Sequence, residues 1–457
     1  MEETRKIDLA FFNKYYDSGE SNILVIYGPK NVEQHSLLMK FVENRRHSFY
    51  SARRVSETEQ INLWTNELVA KGATFSEKPT FTDIFNAAAG TGNNPFIFVI
   101  NNFEYIVRIS EGFFKELADF AGKCSKTRQI LVILASKDVS WIENNMVTSL
   151  GQYSSKITGF RKIKPLPFSE MRRYFSRMPY RDAVLTYSVL GGQTLLWNYF
   201  DDSLSFKENV CKNLLQPESY LFGEAIRLTE YSLRETSVYH TILSQMARGV
   251  NKLNDLYHAT GFSRAKISVY IKTLIHHEFA YKAFSFGTTG RENVVKGVYK
   301  ILDPMLGFYF RFVFPNESSL WQMPADKFYD IFISAGIQEY ANECFKSVCR
   351  EYIYKLEENG LLGFEIADEG EWIGKEGNID IIAQSDTGDT ALGICSFRKM
   401  LTHEDLVQLE YVARKARLEG DVIYLFSTGG FDEWLLDASL KPDSPLRLIG
   451  IDELTNG

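Results

Sequence analysis

The sequence predicts an α/β protein of several domains, and three stretches make the case. Residues 22–38, NILVIYGPKNVEQHSLL, place four apolar residues, Ile23 to Ile26, ahead of a Tyr27-Gly28-Pro29 turn and a helix beginning near Gln34. PFIFVINNFEY (95–105) and QILVILASKDV (129–139) repeat the unbroken apolar run, with helical stretches between. Strands that are apolar on both faces and alternate with helices belong to a parallel sheet covered on both sides.

The other elements follow in chain order. Residues 1–20 read as a lead-in helix, with Ile7, Leu9, Phe11, Phe12 and Tyr15 giving the apolar spacing before Gly19. After a helix ending near Arg46, SFYSARRV makes a second strand, and INLWTNELVAKG and GFFKELADFAGKC (112–124) make helices. FRKIKPLPFSEMRRYF (160–175) marks a boundary: a strand, a Pro-flanked turn and a helix capped near Ser169. Residues 170–235 are helical, broken at Gly191-Gly192. From 237, SVYHTILSQMARG, KLNDLYHATG and SRAKISVYIKTLIHHEFA give three helices. In the third, Ile267, Tyr270, Ile271 and Leu274 recur at helical spacing. AYKAFSFGTTGRENVVKGVYKILD follows as a hairpin with a Gly-rich tip, so the segment reads as a winged helix. DPMLGFYFRFVFPN (303–316) is an aromatic core junction, and mixed α/β structure occupies about 327–457. The expected division is 1–160 for the first sheet domain, 161–235 for a helical lid-like domain, 236–305 for the winged helix, and 306–457 for the junction with the last domain.

Composition excludes several classes. Hydrophobic residues at 45% and charged residues at 24% fit a chain that folds around its own cores, not a disordered one. No apolar run reaches the roughly 18 residues of a membrane span, and the first residues carry acids, so the expectation is a cytoplasmic protein without a membrane partner. Five cysteines, at 124, 211, 344, 349 and 395, form no CxxC pair and suggest neither a disulfide framework nor a zinc site. A net charge of −7 argues against a wholly basic nucleic-acid binder and leaves room for a local basic face.

The 22–38 stretch has the frame of a P-loop without its chemistry. The pattern G-x-x-x-x-G-K-[ST] uses a second glycine so that backbone N–H groups approach phosphate, a lysine on the β/γ-phosphates, and a hydroxyl on Mg²⁺. Counted from Gly28, those positions hold Glu33, Gln34 and His35. The strand 95–101, where an Asp and a Glu would bind metal and activate water, ends instead in Asn101-Asn102. Ser136, just past the third strand, stands where such ATPases keep a polar residue facing the γ-phosphate. The residues themselves identify no cofactor. A loop shifted onto Lys30 and Ser36, with Lys156 and Ser136 facing phosphate and Glu104 as base, would take ATP and Mg²⁺. The nucleotide-binding set of that alternative is Gly28, Lys30, Gln34, His35, Ser36, Asn101, Asn102 and Ser136.

If the winged helix meets DNA, Ser263, Arg264 and Lys266 at the helix start and Lys272 farther along reach groove or phosphate. Arg291 and Lys296 contribute from the wing.

The succession GPK…SLL, FVINNFEY, ILASKD and KPLPF, then GVYKILDPMLGFYFRFVFPN, FKSVCREYI and NIDII…LGICSF before YLFSTGGF, resembles the archaeal and bacterial AAA-type ATPases that carry a winged helix and a C-terminal PD-(D/E)XK nuclease domain. The resemblance covers nearly the whole chain. It implies a P-loop NTPase-like parallel sheet with helices, a winged-helix domain and a C-terminal restriction-endonuclease-like α/β domain. It also implies a nuclease site made of an acid in the first helix, E-I-D on one strand and E-C-K on the next, binding Mg²⁺. On this sequence the helix acid falls on Lys346, E-I-D keeps only Asp380 behind Asn378, and E-C-K becomes Ile394-Cys395-Ser396. Glu343 and Glu376 are nearby substitutes that break the spacing, and Trp372 stands at the expected rim of the cleft.

Both sites lose their chemistry together while the apolar framework stays intact. The expected function is therefore that of a silent ATPase/nuclease-family protein, a binding or assembly module for DNA or a protein partner, in an oligomeric state the sequence does not define. The alternative is a nucleotide-gated switch with weak or no hydrolysis.

Overall fold

A computed structural model describes residues 5–287, 297–397 and 399–456, and the chain forms two compact units. The first runs to Leu166 and includes Gln193–Leu195. The second comprises Pro167–Gly192 and the chain from Leu196 onward.

The first unit is a five-stranded parallel sheet of P-loop NTPase-like α/β architecture. Its strands are β1 (Asn22–Tyr27), β2 (His47–Ser51), β3 (Phe96–Asn101), β4 (Ile130–Ser136) and β5 (Gly159–Lys162), in the order β2-β3-β4-β1-β5. Alternate residues of the apolar runs face opposite helical layers, as the two-residue period of a strand requires. Ile23, Val25, Ile130, Val132 and Leu134 pack into a core with Trp64, Phe81, Phe85 and Phe113. Leu24, Ile26, Leu131 and Ile133 pack on the other side against Phe12, Leu37 and Phe41. A parallel sheet covered in this way leaves its strand C-termini, here Tyr27, Asn101 and Ser136, as the edge where polar groups collect.

The second unit begins with helices. The Phe168–Tyr174 helix starts at Pro167 with no cap from its own first residues, so Ser169 is not the cap that local sequence predicts. The Glu351 carboxylate accepts from both Phe168 N and Ser169 N at 2.9 Å, satisfying the orphan donors from far along the chain. Further helices, among them Tyr180–Leu190, Phe206–Asn213 and Glu224–Ser232, lead to Thr236–Ala247, Leu253–Thr260 and Arg264–His276, and then to an antiparallel hairpin, β6 (Ala280–Phe284) and β7 (Gly297–Ile301). The hairpin tip carrying Arg291 and Lys296 lies outside the described residues.

The chain ends in a separate α/β sheet, β8 (Asp368–Ile373), β9 (Asn378–Gln384), β10 (Thr390–Ser396), β11 (Val422–Ser427) and β12 (Leu446–Ile449), ordered β12-β11-β10-β9-β8. β10, β11 and β12 are parallel, and β8 and β9 run antiparallel beside them. The hairpin is grafted onto the open edge of this sheet. Phe286 N donates to Glu371 O at 2.8 Å, and Ser285 Oγ accepts from Ile373 N and donates to Ile373 O, both at 2.9 Å. The Phe286 ring is buried with Ile379, Ile382 and Leu425, and Gly370 leaves it room, since a Cβ there would meet the ring at 3.1 Å. Covering an edge strand in this way removes a template for intermolecular pairing.

Candidate functional site

At the C-terminal edge of the first sheet, residues 28–33 connect β1 to the Gln34–Val42 helix. Gly28 is required by packing, because a Cβ there would lie 2.2 Å from the Ile163 carbonyl oxygen. Glu33 sits at φ 54°, ψ 38°, a left-handed conformation that glycine adopts freely and that costs another residue about 1 kcal/mol. The turn at Glu33 is therefore held at an energetic cost.

The loop is filled from within. Gln34 is buried, and its Nε2 donates to Gly28 O at 3.3 Å and to Ser136 O at 3.1 Å. The Gln34 amide is therefore tied to the chain's own carbonyls. Asn31 is buried as well; its Nδ2 donates to Gln193 Oε1 at 3.1 Å and its carbonyl accepts from Leu195 N at 3.1 Å, so the Gln193–Leu195 segment closes over the loop. Arg5 donates to Val32 O at 3.1 Å and feels the negative charge of Glu33. His35 and Ser36 are exposed at the start of the helix, His35 edge-on to Phe49.

The two asparagines are engaged too. Asn101 Nδ2 donates to Ser51 Oγ at 3.1 Å, and Asn102, at φ 55°, reaches the same oxygen at 3.4 Å. Both amides hold β2 to β3. Mg²⁺ with ATP, the pair such a sheet holds when its motifs are intact, does not fit these residues. The lysine and both acids are replaced, and no group of three His, Cys, Asp or Glu side chains suited to a metal occurs among the described residues.

Two further groups stand at this edge. Ser136 is fully buried and shares a hydrogen bond with Glu104. Burial pushes the Glu104 carboxyl up to about 7, and its Oε2 has no partner. Lys137, which sequence reasoning passed over although it directly follows Ser136, has its ammonium disfavoured by burial and by Lys30 nearby. Gln34 Oε1 and Thr194 Oγ1 are also buried without partners. Each such atom costs about 1–3 kcal/mol of desolvation, the sort of debt that accumulates at sites shaped for a purpose other than stability. Lys156 lies on an exposed turn.

In the last domain, Lys346 on the Ile337–Glu358 helix reaches Asp380 on β9: Nζ stands 3.0 Å from Oδ1, while Oδ2 accepts from Cys395 N at 2.9 Å. Lys346 also meets Glu343 at 2.5 Å, and Lys300 of β7 bonds both Glu343 and Glu371 at 3.0 Å. Burial works against charge on Glu343, but the Lys346 and Lys300 ammonium groups outweigh it and hold the carboxyl at about 2. Glu371, Lys300, Glu343, Lys346 and Asp380 thus form a chain of alternating charge. Lys300 and Glu371, its members from the hairpin and β8, carry no local sequence signal. Glu376 is exposed, and Trp372 is half-buried against the core of this domain.

Of the groundwork for a groove contact, Ser263 caps the Arg264–His276 helix through Lys266 N at 3.2 Å. The Arg264 guanidinium lies 4.5 Å over Tyr257, Lys266 lies 4.8 Å over Phe262, and Lys272 is exposed on the same helix.

A family model described as archaeal and bacterial proteins of unknown function matches residues 309–406. An uncharacterized protein of Methanocaldococcus jannaschii is 26% identical over 429 residues, covering 91% of this chain and 92% of that one. Among solved structures, the chain is similar to the Walker-type ATPase of Pyrococcus abyssi, at 16% identity and a TM-score of 0.46 over 67% of this chain and 95% of that one. It is also similar to the ORC2 protein of Aeropyrum pernix, in its ADPNP–ADP complexes, at 12% identity and 0.44 over 70% and 94%. No helix among the described residues is long and apolar enough to cross a membrane.

Proposed function

We propose that this chain is a catalytically silent relative of the P-loop ATPases that works as a binding module, with duplex DNA as its partner. The observation that carries the silence is the Gln34 amide, which occupies the centre of the loop and spends its donors on Gly28 O and Ser136 O. A lysine there would meet phosphate with a full positive charge; an amide with committed donors offers none. The last domain supports the same reading as a restriction-endonuclease-like fold in which Lys346, at the position of the helix acid, pairs instead with Asp380, the acid that remains. The three helices and hairpin serve as a winged helix, and the division at 160, 235 and 305 belongs to this proposal. DNA is favoured over a protein partner because three cations of the Arg264–His276 helix, Arg264, Lys266 and Lys272, are exposed.

Isothermal titration of the full chain with Mg-ATP and Mg-ADP, beside a hydrolysis assay and anisotropy titration of a labelled duplex, tests both halves. Salt-dependent duplex binding without nucleotide heat or turnover is expected. Turnover lost on changing the 28–36 loop would overturn the silence, and failure to bind duplex at low salt would overturn the partner.

One observation favours a second reading, a nucleotide-gated switch. Lys30 and Lys137 come near enough at the loop edge to repel each other, and two converging cations suit an anion. Micromolar heats in the same titration would select it.

A further inference from the structure

The Arg264–His276 helix buries Ile267, Ile271 and Leu274 and turns a different stripe outward. Ala265, Ser268, Val269 and Lys272 are all exposed, spaced one helical turn apart on a single face. Val269 is 63% exposed, an isolated branched apolar side chain set among polar ones. Arg264 and Lys266 border the start of the stripe, with Arg264 anchored by Asn254 Oδ1 at 2.5 Å and its guanidinium stacked on Tyr257. An apolar centre with a cationic border complements the major groove of DNA, where phosphates flank base edges and the thymine C5-methyl is the one apolar group displayed.

We propose that Val269, supported by Ala265, reads thymine methyl groups, and that Lys272 and Arg264 hold the flanking phosphates. This rests on the DNA-binding reading above and adds a base preference to it. Burying one methyl is worth about a fourfold change in affinity for each thymine read.

The test uses the full-length chain and two labelled duplexes of the same mixed sequence, one with thymine and one with deoxyuridine at every such position, titrated by anisotropy at several salt concentrations. Wild type binds the thymine duplex at least about fourfold tighter. Val269→Ala closes that gap with its salt dependence unchanged, and its thermal melt shows that the exposed change leaves the fold intact. Lys272→Ala weakens both duplexes alike and lowers the salt slope by about one. Equal binding of the two duplexes by wild type, or a gap that survives Val269→Ala, overturns the methyl reading and leaves DNA binding standing. Absence of binding to either duplex overturns the DNA reading, and the methyl reading with it.

Discussion

The Lys346 ammonium stands 3.0 Å from the Asp380 carboxylate, in the place where the resemblance puts a second acid and a metal between them. Both side chains are mostly buried, and Asp380 keeps its other oxygen on the Cys395 amide, so the pair is fixed in geometry as well as charge. A cation supplied by the chain itself needs no metal to neutralise the pocket. Removing one partner strands the other: Lys346→Met is expected to cost about 3 kcal/mol, by leaving Asp380 uncompensated, while Glu343 keeps Lys300. Lys346→Met with Asp380→Asn should cost less than the sum of the single changes, by at least about 1 kcal/mol. Urea unfolding of the four proteins measures the coupling, and strict additivity would mean that the pair contributes only packing.

The same charge chain predicts behaviour in acid. Glu343 is held at about 2 against an ordinary 4.5, so the unfolded chain takes up its proton first as pH falls. Its stabilisation is complete above pH 4.5 and is lost as pH falls toward 2. Glu343 is half-exposed, which screens the size of the effect but not its direction. Glu343→Gln should therefore melt below wild type at pH 6 and converge with it near pH 2. Curves separated by a constant amount across that range would contradict the ion-pair account.

Phe286 provides a mechanical check on the graft between hairpin and sheet. Its ring belongs to the core of the last domain while its chain belongs to the hairpin, so Phe286→Ala removes buried aromatic surface and loosens the joint together. A loss of about 3 kcal/mol is expected, with faster amide exchange at Phe286 and Ile373. Faster exchange confined to the three preceding helices would place the joint elsewhere.

The sheets were legible because their strands are written without ambiguity: β1, β3 and β4 are apolar runs that cannot be exposed on either face. The Phe81–Ala89 helix escaped notice although Thr80 and Asp83 spell its capping box, because its nine residues are too few to establish a helical period. What spacing could not give is how Gln34 and the charged side chains are partnered. That Gln34 ties off the loop depends on Ser136, 102 residues away, and that Lys300 completes the charge chain depends on a hairpin docking beside Glu371. Pairings of this kind are set by tertiary packing, and no local period encodes them. The Phe168–Tyr174 helix makes the same point, since its cap is Glu351 and not a neighbour.

Glu33 tests whether the loop backbone is strained. At φ 54° it pays the left-handed penalty that glycine avoids, so Glu33→Gly should stabilise the chain by about 1 kcal/mol. It should create no nucleotide affinity, because Gln34 still fills the loop. Gly28→Ala should be strongly destabilising, since its Cβ would overlap the Ile163 carbonyl. Chemical denaturation with and without Mg-ATP checks both; a nucleotide-dependent gain in Glu33→Gly alone would show that the carboxylate, and not the amide, had been excluding phosphate.

Glu104 provides the sharpest pH prediction. Burial raises its carboxyl from the usual 4.5 to about 7, so between those values the folded chain holds a proton that the unfolded chain has released. Stability must then fall as pH rises through this window, and above pH 7 the full penalty remains, up to about 3 kcal/mol for a shift of this size. Glu104→Gln keeps the shape and the acceptor facing Ser136 but cannot ionise. It should match wild type near pH 5, where Glu104 is protonated in the fold, and exceed it at pH 8. Urea unfolding at the two pH values decides the matter. If the two proteins change in parallel, Glu104 is not titrating in that window, and the buried proton beside Ser136 is ruled out.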